Sequence, residues 1–269
     1  MWCPITLEFE IVGNANDCVI SPGAAGGASN IDTTNTTTSW SIEQVQLKCD
    51  LVTLDSALQN SYADHVLSGK ALPIKYSTYV TQHQSLANGL PLTTNVSSAV
   101  SRLKSVFINL DGDRAAINNA FPITFARKDF NAFMHPMIGD YNFGNELQLS
   151  LQIGSKRFPE YPMMSASESY YQLKKSLGIH GSAFHSISPT YRQYICDHFI
   201  VGFDTEKILE AGFSGLNTRA GDLMVIKAQG ANNGSLVNTR WTDFATKLHV
   251  ILHSDQILEI RDTGSQVFD

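Results

Sequence analysis

Charged residues are scarce in this 269-residue chain. Asp, Glu, Lys and Arg together make up 16% of it, against roughly 25% in a typical soluble domain, whereas the 43% of hydrophobic residues is ordinary. The formal net charge of -6 gives no basic footprint for nucleic acid or for an anionic membrane. A low charge density with an ordinary apolar content indicates a surface partly covered by neighbours, as in an assembly subunit.

Cysteines and long apolar runs are also in short supply. Cys3, Cys18, Cys49 and Cys196 include no C-x-x-C pair, so we expect buried free thiols rather than a disulfide scaffold. No apolar run approaches the ~18 residues that a membrane-spanning helix requires, and no secretory signal precedes the first strand pattern. These absences predict synthesis inside the cell, in a reducing compartment.

Motifs that carry catalysis or bind phosphate are missing too. Gly23–Gly27 is not followed by the lysine of a phosphate-binding loop, and Asp111-Gly-Asp113 lacks the other ligands of a calcium loop. The basic pairs Lys156-Arg157 and Lys174-Lys175 are too sparse for a nucleic-acid groove. We therefore expect no enzyme, no cofactor and no specific nucleic-acid contact.

One group of side chains has the chemistry of metal ligands. His180, His185 and His198 occur close to Cys196, and we expect Cys196 and His198 to share one face of a strand. Closed zinc sites usually show two tight ligand pairs, and this group has one loose pair. Partly exposed histidines with a packed thiol are the favoured interpretation, and a metal-dependent enzyme is the minor alternative.

His249 and His253 lie on one face of the terminal strand pattern. A catalytic dyad would need a nucleophile or a carboxylate brought there by the fold, and the sequence names none. We expect solvent-facing or interface histidines, and we assign no catalytic, cofactor-binding or metal residue.

What the chain does contain is strict alternation of apolar and polar residues, the pattern of half-buried strands. The clearest case is Leu147 to Ile153, which the segment Gly154 to Pro162 is expected to end. The last 24 residues hold two alternating runs separated by Ser254-Asp255, which indicates a C-terminus tied into a sheet. Further strands are predicted over residues 5–12, 40–53, 73–84, 100–110, 194–203 and 223–228.

Two helices are predicted from their ends. The first begins after Asp55 as N-cap and stops at Gly69. The second begins with the capping box Ser165-Ala-Ser-Glu168, whose carboxylate is expected to return to the N-cap, and stops at Gly178.

Long connections join these elements. Residues 14–39 are rich in Gly, Ala, Thr and Asn, and residues 111–143 lack a regular pattern; we interpret the first as a linker or surface loop and the second as an ordered contact loop. Eight to nine strands with long connections, and helices that do not alternate with them, favour Greek-key topology. The predicted fold class is mainly β, an antiparallel jelly-roll sandwich with two short helices inserted in loops.

Seven motifs follow one another in a recognisable order. They are Q-L-K-C-D-L-V-T-L-D at 46–55, L-P-I-K-Y-S-T-Y-V-T-Q-H-Q at 72–84, R-L-K-S-V-F-I at 102–108, F-M-H-P at 133–136, L-Q-L-S-L-Q-I-G-S-K-R-F-P-E-Y-P at 147–162, G-L-N-T-R-A-G-D-L at 215–223 and H-S-D-Q-I-L-E-I-R-D-T-G at 253–264. This series resembles the second jelly roll of double jelly-roll major capsid proteins of eukaryotic double-stranded DNA viruses. The likeness is to the polinton and polinton-like lineage and, more remotely, to the nucleocytoplasmic large DNA viruses.

The resemblance implies a jelly-roll domain over residues 40–269. Residues 1–39 would hold a strand that resembles the end of a preceding jelly roll, followed by a Gly/Thr-rich linker. Because such proteins carry two jelly rolls, we expect this chain to be the C-terminal part of a longer protein or a truncated gene product, or else an unusually economical member of the family.

The implied function is that of a structural capsid subunit in the virion. Such subunits form homotrimeric, pseudo-hexagonal capsomers of an icosahedral shell, and they contact neighbouring capsomers and minor capsid or penton proteins without membrane insertion. The residues alone leave open a non-enzymatic jelly-roll binding module for a carbohydrate or small ligand.

Overall fold

The computed structural model describes residues 6–10, 41–85, 92–112, 147–180, 184, 186–206, 215–219, 221–229 and 245–269. Its helices are α1 (Ser56–Leu67), α2 (Ala166–Ser176) and α3 (Tyr191–Asp197). Its strands are β1 (Leu72–Ser85), β2 (Leu92–Val96), β3 (Leu103–Gly112), β4 (Gln148–Ile153), β5 (Lys156–Met163), β6 (Val201–Asp204), β7 (Met224–Gln229), β8 (Ala245–Arg261) and β9 (Gly264–Phe268).

The strands form two sheets in jelly-roll order. The first sheet runs β1-β8-β3-β6, with β9 paired to β8, and the second runs β2-β7-β4-β5. β3 pairs antiparallel with β6 and β8, and β4 pairs antiparallel with β5 and β7. Successive strands mostly alternate between the sheets, which is the arrangement of an eight-stranded jelly roll. The predicted fold class is therefore confirmed.

The described residues belong to two compact units. One comprises residues 1–24, 31–76 and 256–269, and the other comprises residues 25–30 and 77–255. The second unit contains the whole of the core cluster formed by the two sheets. The first unit contains α1 and β9.

In the first sheet, alternate residues of β3 and β8 face the core. The antiparallel register places them opposite one another, so each pair is buried together. The pairs are Val106 with Leu252, Ile108 with Val250 and Leu110 with Leu248. The same rule operates in the second sheet between β4 and β7, where the pairs are Leu149 with Ala228, Leu151 with Ile226 and Ile153 with Met224.

Both predicted helices are present, with the expected caps. The Asp55 carboxylate accepts a hydrogen bond from the Leu58 N–H at 2.9 Å, and Gly69 follows α1 with φ +79°. The Ser165 hydroxyl accepts from the Glu168 N–H at 3.1 Å. The Glu168 carboxylate accepts from the N–H of Met164, one residue before the expected N-cap partner. None of the helices in the described ranges is long and apolar enough to cross a membrane.

The predicted strand over residues 194–203 is wrong in its first half. The chain forms α3 there, and only Val201–Asp204 is a strand. A capping box begins α3, because Thr190 and Gln193 hydrogen-bond each other's backbone N–H groups. Tyr194, buried with its hydroxyl donating to the Ile200 carbonyl, then packs the helix on the core.

The segment expected to end β4 is itself a strand. Gly154, with φ +58°, begins a tight turn, and β5 returns antiparallel to β4. β5 contains Pro159 and Pro162, and it lies at the end of its sheet order, where a strand tolerates residues without an N–H donor.

The polar break predicted at Ser254-Asp255 is also wrong. β8 runs without interruption through both residues, and its hairpin with β9 follows only after Arg261. Both polar residues are buried. The Asp255 N–H donates to the Arg102 carbonyl, and the Asp255 carboxylate accepts from the Ser77 hydroxyl at 2.7 Å. A buried carboxylate with partners on neighbouring segments does not end a strand.

Two predicted N-terminal strands are not observed where the structure describes the chain. Residues 6–10 and 41–53 have no regular secondary structure, and Cys49 is exposed rather than buried. Alternation gives a segment two faces but supplies no partner strand.

The sequence did not predict strand β2. Cys3, Cys18, residues 14–39 and most of the 111–143 loop lie outside the described residues, and the domain boundary at residue 39 stays a prediction.

The core pairing predicts how one substitution changes the stability of the protein. Leu151→Ala removes a fully buried side chain opposite Ile226, so we expect the free energy of unfolding to fall by about 2–5 kcal/mol. Leu223→Ala, at a side chain 55% exposed in the same unit, is the control and should cost about 1 kcal/mol or less. Urea denaturation measures both. Equal losses would contradict the placement of Leu151 in the core.

Candidate functional site

The face of the first sheet opposite the Val106, Ile108 and Leu110 side chains carries mostly polar side chains. Residues of β3 and β8 that alternate with the core residues lie there, in directly opposed pairs that share one face. The pairs are Ser105 with His253, Phe107 with Ile251 and Asn109 with His249. We call this the outer face. The two histidines that the sequence placed on one strand face are therefore brought against polar partners on β3.

His253 is held between a hydroxyl and an aromatic ring. Its Nδ1 lies 3.0 Å from the Ser105 Oγ, and its ring stacks on Tyr79 with 4.7 Å between centroids and 13° between planes. Burial lowers the pKa of His253 below its ordinary value of 6.5, and the neighbouring Lys104 lowers it further, against the opposing effects of Asp255 and Glu206. His253 is thus kept predominantly neutral near pH 7.

Lys104 links three segments through ion pairs. Its Nζ lies 3.6 Å from an Asp255 carboxylate oxygen and 4.0 Å from a Glu206 carboxylate oxygen. The Asp255 side chain is only 5% exposed, and it also accepts the Ser77 hydroxyl. Removing Lys104 would take the neighbouring cation away from the buried Asp255 carboxylate, which costs stability.

The Ser105 hydroxyl lies beside His253. Sequence reasoning identified His253 but not this serine. Its position was visible in the alternation of β3, but only the register with β8 places it against His253. Ser105 is 1% exposed, so a substrate has no path to its hydroxyl. Its contact with His253 therefore orients the imidazole ring and does not form an accessible nucleophile.

A second histidine contact lies further along the outer face. His83 Nδ1 of β1 approaches His249 Nδ1 of β8 to 2.7 Å, with 4.6 Å between ring centroids and 81° between ring planes. A contact of this length is a hydrogen bond in which one ring donates and the other accepts. His83 was missed by sequence reasoning because its partner is 166 residues away.

A cleft of about 340 Å³ opens beside His83. The Gln82 side-chain amide donates to the Ser97 hydroxyl at 2.9 Å across part of it. The lining residues are mostly polar: Gln82, His83, Gln84, Asn95, Val96, Ser97 and Val250.

The predicted histidine and cysteine group is only partly described. His180 packs edge-on against Tyr171, with 4.3 Å between ring centroids. His198 caps the C-terminus of α3 and does not share a strand face with Cys196, because that segment is helical. His185 and the Cys196 side chain lie outside the description. Among the residues that are described, no three His, Cys, Asp or Glu side chains converge as metal ligands.

Exposed apolar side chains concentrate in the first unit, in the segment from residue 41 to the end of α1. Leu51 is 93% exposed and Val52 82%, and the others are Ile42, Val45, Leu47, Leu54, Leu58, Tyr62 and Leu67. We call this the apolar segment. Large apolar side chains exposed in one continuous segment are typical of a surface that contacts another molecule.

Comparisons with known proteins give likeness of fold. No protein-family model matches the chain, and no curated protein matches it. The quasi-atomic model of the PBCV-1 virus capsid matches with 10% identity, 80% of this chain and 55% of that one covered, and a TM-score of 0.43. PBCV-1 VP54 fitted into a reconstruction of the virophage Sputnik matches with 12% identity, 80% of this chain and 55% of that one covered, and a TM-score of 0.47.

The Sputnik virophage structure itself gives 11% identity, with 74% of this chain and 39% of that one covered, and a TM-score of 0.36. The chain therefore spans about half, or less, of the length of the solved structures it matches. A likeness at this level of identity concerns the fold alone.

The environment of His253 predicts a pH dependence. Because its pKa is lower folded than unfolded, the unfolded chain binds more protons as the pH falls below about 6.5. The His253 contribution to stability is therefore present above pH 6.5 and is lost as the pH falls toward the folded pKa. Urea denaturation should show this loss in the wild type, and His253→Gln should show a shallower dependence on pH.

An NMR titration of the His253 ring tests the cause directly. We expect a pKa below 6.5 in the wild type and a higher one in Lys104→Met, where Asp255 and Glu206 act without the opposing cation. A wild-type His253 pKa at or above 6.5 would contradict this environment.

Proposed function

We propose that this chain is a structural, non-catalytic capsid subunit, or the C-terminal jelly roll of one, that acts by self-assembly. The observation that carries the proposal is the apolar segment, whose side chains are exposed in the single chain. A subunit whose function is to bury such side chains against a neighbouring subunit needs no active site.

The strand order narrows the class of protein. An eight-stranded jelly roll in two sheets is the architecture of viral capsid domains, lectin domains and cupins. Of these three classes, the ordered sequence motifs between residues 46 and 264 resemble those of capsid proteins. The scarcity of charge, 16% of residues, favours a subunit with much of its surface covered.

The apolar segment has enough hydrophobic surface for association. Full burial of one aliphatic side chain stabilises by about 1.5–3 kcal/mol. Five of its side chains are at least 71% exposed, namely Val45, Leu47, Leu51, Val52 and Leu67, and together they would contribute about 8–15 kcal/mol. Association costs about 4–15 kcal/mol in lost freedom, so burial of the whole segment, and not of one or two residues, would hold subunits together.

The pattern of the segment suits a neighbouring sheet. Val45, Leu47 and Leu51 fall on alternate positions, the spacing of one strand face. An extended segment with this spacing gains backbone hydrogen bonds when it adds to the edge of a partner's sheet. The segment that failed to form a strand within the described chain is thus suited to form one in an assembly.

The finer expectations follow from the capsid resemblance. The assembled form would be a homotrimer that serves as a pseudo-hexagonal capsomer in the virion, in contact with neighbouring capsomers and with minor capsid or penton proteins. The jelly-roll domain would comprise residues 40–269, with residues 1–39 as a strand and linker from a preceding jelly roll.

A ligand-binding module is the second candidate, and the cleft beside His83 favours it. Two glutamines, an asparagine and a serine line this cleft, and such side chains hydrogen-bond hydroxyl groups of a sugar. Saturable binding of a carbohydrate by a monomeric chain, lost in Gln82→Ala, would favour this function over assembly.

Solution mass tests the assembly proposal. We expect light scattering to give the mass of a trimer for the wild-type chain, and the monomer mass for Val45→Asp/Leu51→Asp, because two carboxylates would have to be buried at the contact. Gln44→Asp/Gln46→Asp is the matched control, since it adds the same charge at exposed polar positions on the opposite strand face of the same segment. This control should remain trimeric.

A wild-type chain that stays monomeric at all concentrations would rule out assembly by this chain alone. Equal masses for the two double variants would show that the apolar segment is not the contact. Circular dichroism checks that each variant keeps its β structure.

A further inference from the structure

We propose that His83 and His249 together bind a divalent first-row transition-metal ion, of the class of Zn²⁺ or Cu²⁺, on the outer face. The chain brings them together from strands that are far apart in sequence, and their Nδ1 atoms lie 2.7 Å apart. Neither residue belongs to the His180, His185 and His198 group.

The two nitrogens converge with almost the spacing that a shared metal ion requires. With Zn–N bonds of about 2.05 Å, two ligand nitrogens lie about 2.9 Å apart at a right-angle bite and about 3.3 Å apart at a tetrahedral one. Replacing the shared proton by a metal ion therefore requires the pair to open by only a few tenths of an ångström. The ring planes are inclined at 81°, and each ring would turn so that its Nδ1 lone pair points to the ion.

The His249 and His83 rings differ in burial and in strand position, and this difference suits metal binding. His249 is half-buried on β8, which pairs with β3 and so has a defined position. His83 is exposed on β1, at the end of the described strand order. One ligand is therefore fixed, and the other can adjust to the ion while solvent reaches the site.

Asn109 supplies a third polar group. It lies directly opposite His249 in the register of β3 and β8, hence on the same face. Asn109 is 5% exposed, and its Oδ1 has no hydrogen-bond partner among the residues that the structure describes. Buried oxygens are nearly always satisfied. An ion at the histidine pair, or a water bound to that ion, would give this oxygen a partner.

The donor set decides the class of ion. Imidazole nitrogens suit Zn²⁺, Cu²⁺ and Ni²⁺, whereas Ca²⁺ and Mg²⁺ require oxygen ligands. A hydrogen bond between neutral rings contributes only about 1 kcal/mol, and it leaves the Asn109 oxygen unaccounted for. Water would complete the coordination of an ion at this accessible position.

Competition with a chromogenic chelator tests the site in the full chain. We expect the wild type to bind one Zn²⁺ ion at this site at pH 7.5 and to bind no Ca²⁺ there. His83→Ala and His249→Ala should each lower the Zn²⁺ affinity by about tenfold or more, because each removes one of two nitrogen ligands. His180→Ala, at an exposed histidine outside the site, is the matched control and should leave the affinity unchanged.

Electron paramagnetic resonance with Cu²⁺ identifies the ligands. We expect hyperfine coupling to two imidazole nitrogens in the wild type and to one in His83→Ala. His83 is exposed on β1, so this variant should keep the fold even if His249→Ala does not, and thermal unfolding checks both. Unchanged Zn²⁺ affinity in His83→Ala, no Zn²⁺ binding by the wild type, or loss of binding in His180→Ala would each overturn the proposal.

Discussion

The antiparallel pairing of β3 with β8 is the contact on which the rest of the structure depends. One register buries Ile108 against Val250 and, by the same alternation, places Asn109 opposite His249 on the other face. A shift by one residue would turn the core pairs away from the core and bring the histidines into it. The hydrophobic effect that fixes the core therefore also builds the polar outer face.

The Asp255 and His253 side chains are tolerated on that face because each has a hydrogen-bonding partner on another strand. The buried Asp255 carboxylate has the Ser77 hydroxyl and the Lys104 ammonium as partners, so β8 continues where a polar pair in isolation would have ended it. His253 remains predominantly neutral near pH 7 because burial and Lys104 both disfavour a second proton. Electrostatics and packing thus support the same strand, and they make its stability sensitive to mild acid.

The two units show the same sequence pattern with different outcomes. Alternating apolar residues in β4 are buried because β4 pairs with β7, whereas those between Val45 and Leu51 remain exposed. Alternation provides an apolar face, and only a partner surface can bury it. In the proposed assembly a neighbouring subunit supplies that surface, which would make oligomerisation a continuation of the rule that forms the core.

Local signals in the sequence determined the mainly β class and both helices with caps at Asp55 and Ser165, because these depend on neighbours a few residues away. Alternation located several of the strands, but not whether each finds a partner. The tertiary structure decided the rest. It decided that β8 passes through Asp255 without a break. It also brought His83 to His249. Such outcomes depend on which distant strand supplies a partner, and residue spacing along one strand carries no information about that choice.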